Sequence, residues 1–292
     1  MVFFVTGASR GLGRQIVERA LAAGEQVVAT ARDPRSLADL QEQFGSHVHV
    51  VALDVTDPAA AEAAVASGVT AFGRLDVVVN NAGQGDRASL EDTTLDVFRR
   101  QVETNFLGTV YVTKAAVPVL RRQGDGRIIQ ISSVGGRIGS PGMTAYQSAK
   151  WAVGGFSEAL AAEVAPLGIK ITVLEPGGMR TDWAGSSMTT PPISAPYEPT
   201  VGASARAMVG FEKTATSDPA RVADLVLRVA ALPDPPLRLL AGSDAYAYGR
   251  EVWRSRLATD EKWAELSHST DHPDAGERWQ EQRGNSLPQV TS

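Results

Sequence analysis

Tyr146 and Lys150 stand four residues apart in Ala145-Tyr146-Gln147-Ser148-Ala149-Lys150. On a helix that spacing puts both side chains on one face, a turn apart. A tyrosine with a pKa near 10 is a poor base at neutral pH, but a nearby ammonium favours the phenolate. Lys150 can therefore bring Tyr146 toward the range of an acid–base catalyst. Taken alone, such a pair is usually just a contact on a helix surface. Ser132 and Ser133 follow the apolar run Arg127-Ile128-Ile129-Gln130-Ile131. A hydroxyl at that point lies at the carboxyl edge of a sheet, where open α/β folds bind ligands, and can hydrogen-bond a reacting oxygen.

A second constellation, Thr6-Gly7-Ala8-Ser9-Arg10-Gly11-Leu12-Gly13, follows the first apolar run. Without side chains at its glycines, such a turn lets backbone amides approach a pyrophosphate at a helix N-terminus. Tight strand-to-helix turns use glycine in any case, and it is the position after the first strand that favours a dinucleotide. The tip of the second strand, Ala29-Thr30-Ala31-Arg32-Asp33, bears on which one. An acidic residue there binds free ribose hydroxyls, whereas an arginine accommodates a 2'-phosphate. Arg32 at the tip and Arg10 inside the turn can converge on one phosphate through charge-assisted bonds, so NADP(H) is expected. Asp33 keeps NAD(H) possible, since a small shift of the strand end offers it to the ribose.

These residues need a frame. Apolar runs at 2–6, 26–31, 47–53, 75–80, 127–132, 169–174 and 237–241 read as buried strands, with helix-length stretches between them. Residues 12–23 carry Leu12, Ile16, Val17, Ala20 and Leu21 at helical spacing, and Gly24 stops the helix. Repeated βαβ units require a parallel sheet with helices on both faces, here an α/β doubly wound sheet of about seven strands. Long helices are expected over 95–122 and 145–165. The segment 183–217 reads as a substrate lid and 242–292, with Trp253, Trp263 and Trp279, as a C-terminal extension whose last residues fray. Pro233-Asp234-Pro235-Pro236 ends a helix before the last strand, and one domain over 1–292 is expected.

In the glycine spacing, Asn80-Asn81-Ala82-Gly83, Tyr146-x-x-x-Lys150 and Pro176-Gly177, the chain resembles the short-chain dehydrogenase/reductase family, closely from residue 2 to about 182. The resemblance implies a Rossmann fold and hydride exchange between a nicotinamide cofactor and an alcohol or ketone. It makes Asn105, Ser133, Tyr146 and Lys150 the catalytic set. Ser133 is chosen over Ser132 because its separation from Tyr146 matches the family pattern, and Asn105 corresponds to the asparagine that holds a water linking the lysine to a proton relay. An asparagine inside an apolar helix is unfavourable, so a buried polar duty is the better reading than a mere kink. The resemblance assigns cofactor contacts to Gly7, Ser9, Arg10, Gly11, Leu12, Gly13 and Arg32. It adds Asp54 and Val55 at the adenine, Asn81, Ala82 and Gly83 beside the adenosine half, Tyr146, Lys150, Pro176 and Gly177, and Thr181 at the carboxamide. Arg180 could equally touch phosphate.

Composition narrows the rest. With a net charge of −5, attraction to nucleic acid or to an anionic membrane is not expected. The absence of cysteine suits a reducing cytoplasm, and no run of roughly 18 apolar residues or basic-then-apolar leader is present. His47, His49, His268 and His272 make no plausible metal site, so none is expected. Met179, Trp183, Met188, Tyr197, Met208 and Phe211 give the lid region an apolar character suited to a fairly hydrophobic ketone or secondary alcohol. The strand-two and Asn105 regions lean toward the steroid- and retinoid-type branch of the family. A lid of about 35 residues is too short for the substrate domain of a sugar-nucleotide epimerase. The alternative is a dinucleotide-binding regulatory sensor with little catalysis. By resemblance, a homodimer or homotetramer would form through the two long helices.

Overall fold

The computed structural model of the chain describes residues 1–180, 188–272 and 275. Seven parallel strands form one sheet: β1 (Val2–Val5), β2 (Gln26–Ala31), β3 (Val48–Ala52), β4 (Val77–Asn80), β6 (Gly126–Ile131), β7 (Ile169–Pro176) and β9 (Arg238–Ala241). Their order is β3-β2-β1-β4-β6-β7-β9. These are the seven apolar runs of the sequence, each shifted by no more than two residues at an end. Their near-continuous apolar character follows from burial on both faces. Within β1, Phe3 and Val5 join one core layer while Val2 and Phe4 join the other, as the two-residue strand period requires.

On one face pack α1 (Gly11–Ala22) and α9 (Pro219–Ala231), through Ile16, Val17 and Val226. On the other lie α3 (Pro58–Phe72) and α5 (Gly108–Gln123), through Ala64, Val65, Val112 and Leu120. Each of these fully buried side chains contributes about 1.5–3 kcal/mol at the larger residues. Between β2 and β3 lies α2 (Ala38–Phe44). From β1 the chain winds outward to β2 and β3, then returns past β1 to β4 and winds the other way. The carboxyl ends of β1 and β4 therefore flank the switch point at which such sheets bind ligands.

Two parts of the fold differ from the expectation. The predicted single helix over 95–122 is α4 (Leu95–Val102), a wide π-helical turn (Glu103–Leu107) and then α5. The wide turn directs the Asn105 amide onto the main chain of Gln84, a contact that local helical spacing does not contain. A two-residue strand β5 (Gly85–Asp86) also pairs with β8 (Met188–Thr189), Gly85 opposite Met188, and so ties the described lid segment to the loop after β4. The rest of that segment holds the short helices α7 (Ala203–Ala207) and α8 (Phe211–Thr214). The expected helix over 145–165 is α6 (Thr144–Val164).

The chain divides into two compact units, Met1–Gly249 and Arg250–Ser292, the boundary in sequence falling inside α10 (Ser243–Lys262). The first holds the whole sheet. The second holds the end of α10 and α11 (Ala264–His268), with Arg256 over the Trp253 ring at 5.4 Å and Lys262 over Trp263 at 5.4 Å. Among the described residues no helix is long and apolar enough to cross a membrane.

Candidate active site

A cavity of about 600 Å³ opens at the carboxyl edge of the sheet in the first unit. It is lined by every sequence-predicted site residue except Gly13 and Thr181. Thr181 lies outside the described residues, as does Trp183.

The β1 end of the cavity is made of main chain. Gly7 has φ +66° and lies so close to Ala82 that a Cβ would come within 2.9 Å of the Ala82 Cα, so a side chain is excluded on both counts. Gly13 does not line the cavity. A Cβ there would collide with the Gly7 carbonyl and the Asn81 amide, so its role is to let α1 pack against the turn. The Thr6 hydroxyl accepts from the amides of Asn81 and Ala82 at 2.9 and 3.0 Å, and the Asn81 side chain donates back to the Thr6 carbonyl at 2.9 Å. These bonds lock the two strand ends at the switch point together.

Like α2 and α6, and unlike α3 and α9, α1 starts without a side-chain cap. Asp57 accepts from the first-turn amides of α3, and Asp218 does the same for α9. At α1 the residue in the capping position is Arg10, with no side-chain bond to the first turn and no acidic residue within it. Uncapped amides and the positive end of the helix dipole suit an anionic group. Arg10 and the exposed Arg32 both line this end of the cavity. Asp33 does not. Its carboxylate accepts from the Arg35 amide at 3.0 Å and pairs with the Arg35 guanidinium at 2.8 Å, bonds that hold it below the usual carboxylate range. Asp54 faces the cavity while accepting from the Thr56 amide and hydroxyl.

The β6 end is buried side-chain chemistry. Ser133 and Tyr146 share a side-chain hydrogen bond. The Gly135 amide donates to Ser133 Oγ at 3.0 Å, which leaves the serine proton to be donated. Ser132 turns the other way and donates to the Lys150 carbonyl at 3.3 Å. Tyr146 lies in the first turn of α6, and Lys150, one turn on, donates to the Ile131 carbonyl at 2.8 Å with its Nζ 5.8 Å from the tyrosine ring centroid. Tyr146 is 7% and Lys150 5% exposed. Burial pushes Tyr146 up to about 12, partly offset by the Ser133 bond, and brings Lys150 down to about 8. The sequence reading expected Lys150 to lower the tyrosine. In this structure removal from water outweighs the ammonium, whose proton is directed at Ile131.

Asn105 is fully buried, and its amide is committed to protein. Its Nδ2 donates to the carbonyls of Gln84 and Gln101, both at 2.8 Å, and its Oδ1 accepts from the Gln84 amide at 3.0 Å. The polar duty expected of it is thus, in this structure, a clamp on the segment after Gly83. Gln101 extends the clamp by accepting from the Asp86 amide at 3.0 Å.

Sequence reasoning missed Gln84, Asp86, Arg100, Glu103 and Thr104, which line the cavity near the π-helical turn, with Asp86 and Arg100 paired at 3.7 Å. The loop clamped by Asn105 brings Gln84 and Asp86 there, and the helix and wide turn that carry Asn105 bring Arg100, Glu103 and Thr104. Met179, Met208 and Phe211 line the opposite, apolar side. Met188 and Tyr197 do not line it. Met188 belongs to β8, and the Tyr197 hydroxyl donates to Glu91 at 2.9 Å. Among the described residues no group of three or more potential metal ligands converges.

Residues 1–191 match the family model described as short chain dehydrogenase. Oxidoreductase BOA17 of Botryotinia fuckeliana (strain B05.10) is 55% identical over 267 residues, covering 91% of this chain and 97% of that protein. A crystal structure of a short-chain dehydrogenase from Streptomyces avermitilis superposes with a TM-score of 0.86 at 36% identity, covering 92% of this chain and 99% of the other. The closed form of a serine dehydrogenase complexed with NADP+ gives 0.71 at 27% identity, covering 82% and 94%.

Proposed function

The chain belongs to the short-chain dehydrogenase/reductase family of oxidoreductases, and from that premise we propose that it is an NADPH-dependent reductase of a fairly hydrophobic ketone, oxidising the matching secondary alcohol in reverse. The observation that carries the reading is the half-buried Ser133 hydrogen-bonded to the buried Tyr146, with Lys150 one turn away, in the same cavity as the glycine turn, Arg10 and Arg32.

The cavity suits a dinucleotide by its size, its uncapped helix end and the close approach of Gly7 to Ala82. Main-chain amides from Gly7 to Leu12 would hold the pyrophosphate. Arg10 and Arg32 would hold a 2'-phosphate, a choice supported by the engagement of Asp33 with Arg35. Asp54 and Val55 would border the adenine, Asn81, Ala82 and Gly83 the adenosine half, and Pro176, Gly177 and Thr181 the nicotinamide. When bound, the reduced nicotinamide supplies the hydride.

The chain's own part is proton transfer and orientation. Ser133 donates a hydrogen bond to the carbonyl oxygen, and Tyr146 passes its phenolic proton to the same oxygen as negative charge develops there. Tyr146, pushed further up by burial, is protonated at neutral pH and so carries the proton that reduction consumes. Lys150, still largely charged near neutrality, binds ribose hydroxyls and stabilises the phenolate left behind. Met179, Met208 and Phe211 present an apolar wall to the substrate and limit water at the reacting oxygen.

Fluorescence titration with NADPH and NADH, then absorbance-monitored turnover over ketones, aldehydes and quinones, tests the reading. Tighter NADPH binding with turnover supports it, whereas binding without turnover moves the protein to the regulatory alternative. One domain over 1–292, a homodimer or homotetramer and a cytoplasmic location complete the proposal. A single melting transition and light-scattering mass test the first two.

A further inference from the structure

Glu175 directly precedes Pro176 at the carboxyl end of β7, and among the described residues it is the only carboxylate in the buried set, with no exposed surface. Two arginines saturate it. Arg137 donates from Nε and Nη2 to Oε2 at 2.8 and 2.5 Å, and Arg238 donates from Nε and Nη2 to Oε1 at 3.2 and 2.6 Å. Arg238 also reaches Glu158 of α6 at 2.7 Å, so the cluster contains two cations and two anions.

Stability alone is a poor account of such a cluster. Desolvating the charges offsets most of their attraction, and well-packed apolar side chains often do as well. Connectivity gives a better account. Arg137 is four residues beyond Ser133, and the turn between them has no slack. The Gly135 amide donates to Ser133 Oγ, the Gly136 amide to the Ser133 carbonyl at 2.8 Å, and the Arg137 amide to the Val134 carbonyl at 2.8 Å. The outer face of the turn lies against α6, where a Cβ on Gly136 would come within 2.9 Å of the Lys150 carbonyl. A displacement of Arg137 is therefore carried to Ser133. Arg238 has less leverage: it joins Glu175 to Glu158, two turns past Lys150, and its guanidinium lies against Gly154, one turn past Lys150, but both contacts fall on a helix already packed along its length and neither bears on the turn that carries Ser133.

We propose that Arg137 and Glu175 are positioning residues for carbonyl reduction, their ion pair fixing the Ser133 turn against β7 so that Ser133 Oγ stays in register with Tyr146. The inference rests on the reductase reading above. It predicts unequal consequences for two substitutions that each remove one of the two arginines bound to the same carboxylate.

The test compares wild type, Arg137→Met, Arg238→Met and Arg137→Lys for melting temperature, NADPH affinity, and kcat and KM with phenanthrenequinone, acetophenone and decanal. Both Met variants should lose similar thermal stability. Arg137→Met should lose about tenfold or more in kcat, with NADPH affinity and KM within about twofold, because sub-ångström misplacement acts on the reacting geometry. Arg238→Met should keep kcat within about twofold, and Arg137→Lys, which retains the charge but not the fork, should fall between. If Arg137→Met does not fold, a kcat loss in Arg137→Lys that exceeds that of Arg238→Met still supports the inference. Equal kcat losses in the two Met variants, or an unchanged kcat in both Arg137 variants, overturn it while leaving the reductase reading intact. No turnover by wild type with any of the three compounds overturns both.

Discussion

The two ends of the cavity are built from opposite materials. The β1 end uses main-chain amides, glycines and exposed cations, whereas the β6 end uses side chains withdrawn from water and bonded to one another. Binding a dianionic pyrophosphate needs donors in a fixed array, which a helix start and a turn provide. Moving a proton needs groups whose affinity for it differs from that in water, and burial provides this for Tyr146 and Lys150. On the proposed reading affinity and chemistry are separable at Arg32 and Tyr146, and removing either should leave the other's role in place.

The largest separation is expected from Tyr146→Phe. It keeps the ring and removes the acid, so kcat should fall by about a hundredfold or more with NADPH affinity unchanged in a binding titration. At the opposite end, Arg32→Ala removes a charged donor worth about 1.5–3 kcal/mol, or roughly 10–100-fold in NADPH affinity. The affinity for NADH and the saturated rate should be unaffected, and an equal loss for both cofactors would mean that Arg32 does not read the 2'-phosphate.

Much of this arrangement is legible in the sequence. The seven strands could be read because parallel strands covered on both faces are nearly continuous runs of Val, Ile, Leu and Phe. The glycine turn, Tyr146 and Lys150 could be read because local spacing determines their relation. What could not be read depends on contacts distant in sequence. Asn105 sits in a widened turn because it clamps Gln84, 21 residues away, and the predicted unbroken helix fails there. Tyr146 shifts upward because it is enclosed by elements that no four-residue spacing describes. Gly13 belongs to the motif but serves packing, since its neighbours are Gly7 and Asn81 rather than the cavity.

Smaller effects sharpen the contrast inside the buried end. Ser133→Ala should lower kcat by about tenfold, in keeping with the loss of one hydrogen bond to the reacting oxygen, while Ser132→Ala should change it by less than about threefold. The last effect is read in stability rather than in rate. Lys150 is depressed to about 8 in the folded chain, so between there and its unfolded value near 10.5 the unfolded state binds the extra proton, and stability from this group rises with pH across that window. Replacing Lys150 by Met removes the buried charge. The melting temperature of the variant relative to wild type should therefore be more favourable near pH 7 than at about pH 10.

The central claim is that Tyr146 protonates the oxygen while hydride reaches the carbon of the same carbonyl. It is tested most directly by label transfer from NADPH carrying deuterium on one face of the nicotinamide, then on the other, to a ketone that wild type reduces. The account predicts that the alcohol from wild type carries deuterium at the carbinol carbon from one labelled face only, and that Tyr146→Phe, with NADPH bound equally well, forms that product at least about a hundredfold more slowly. Labelled alcohol formed at the wild-type rate by the phenylalanine variant, or alcohol without label from either face, would contradict it.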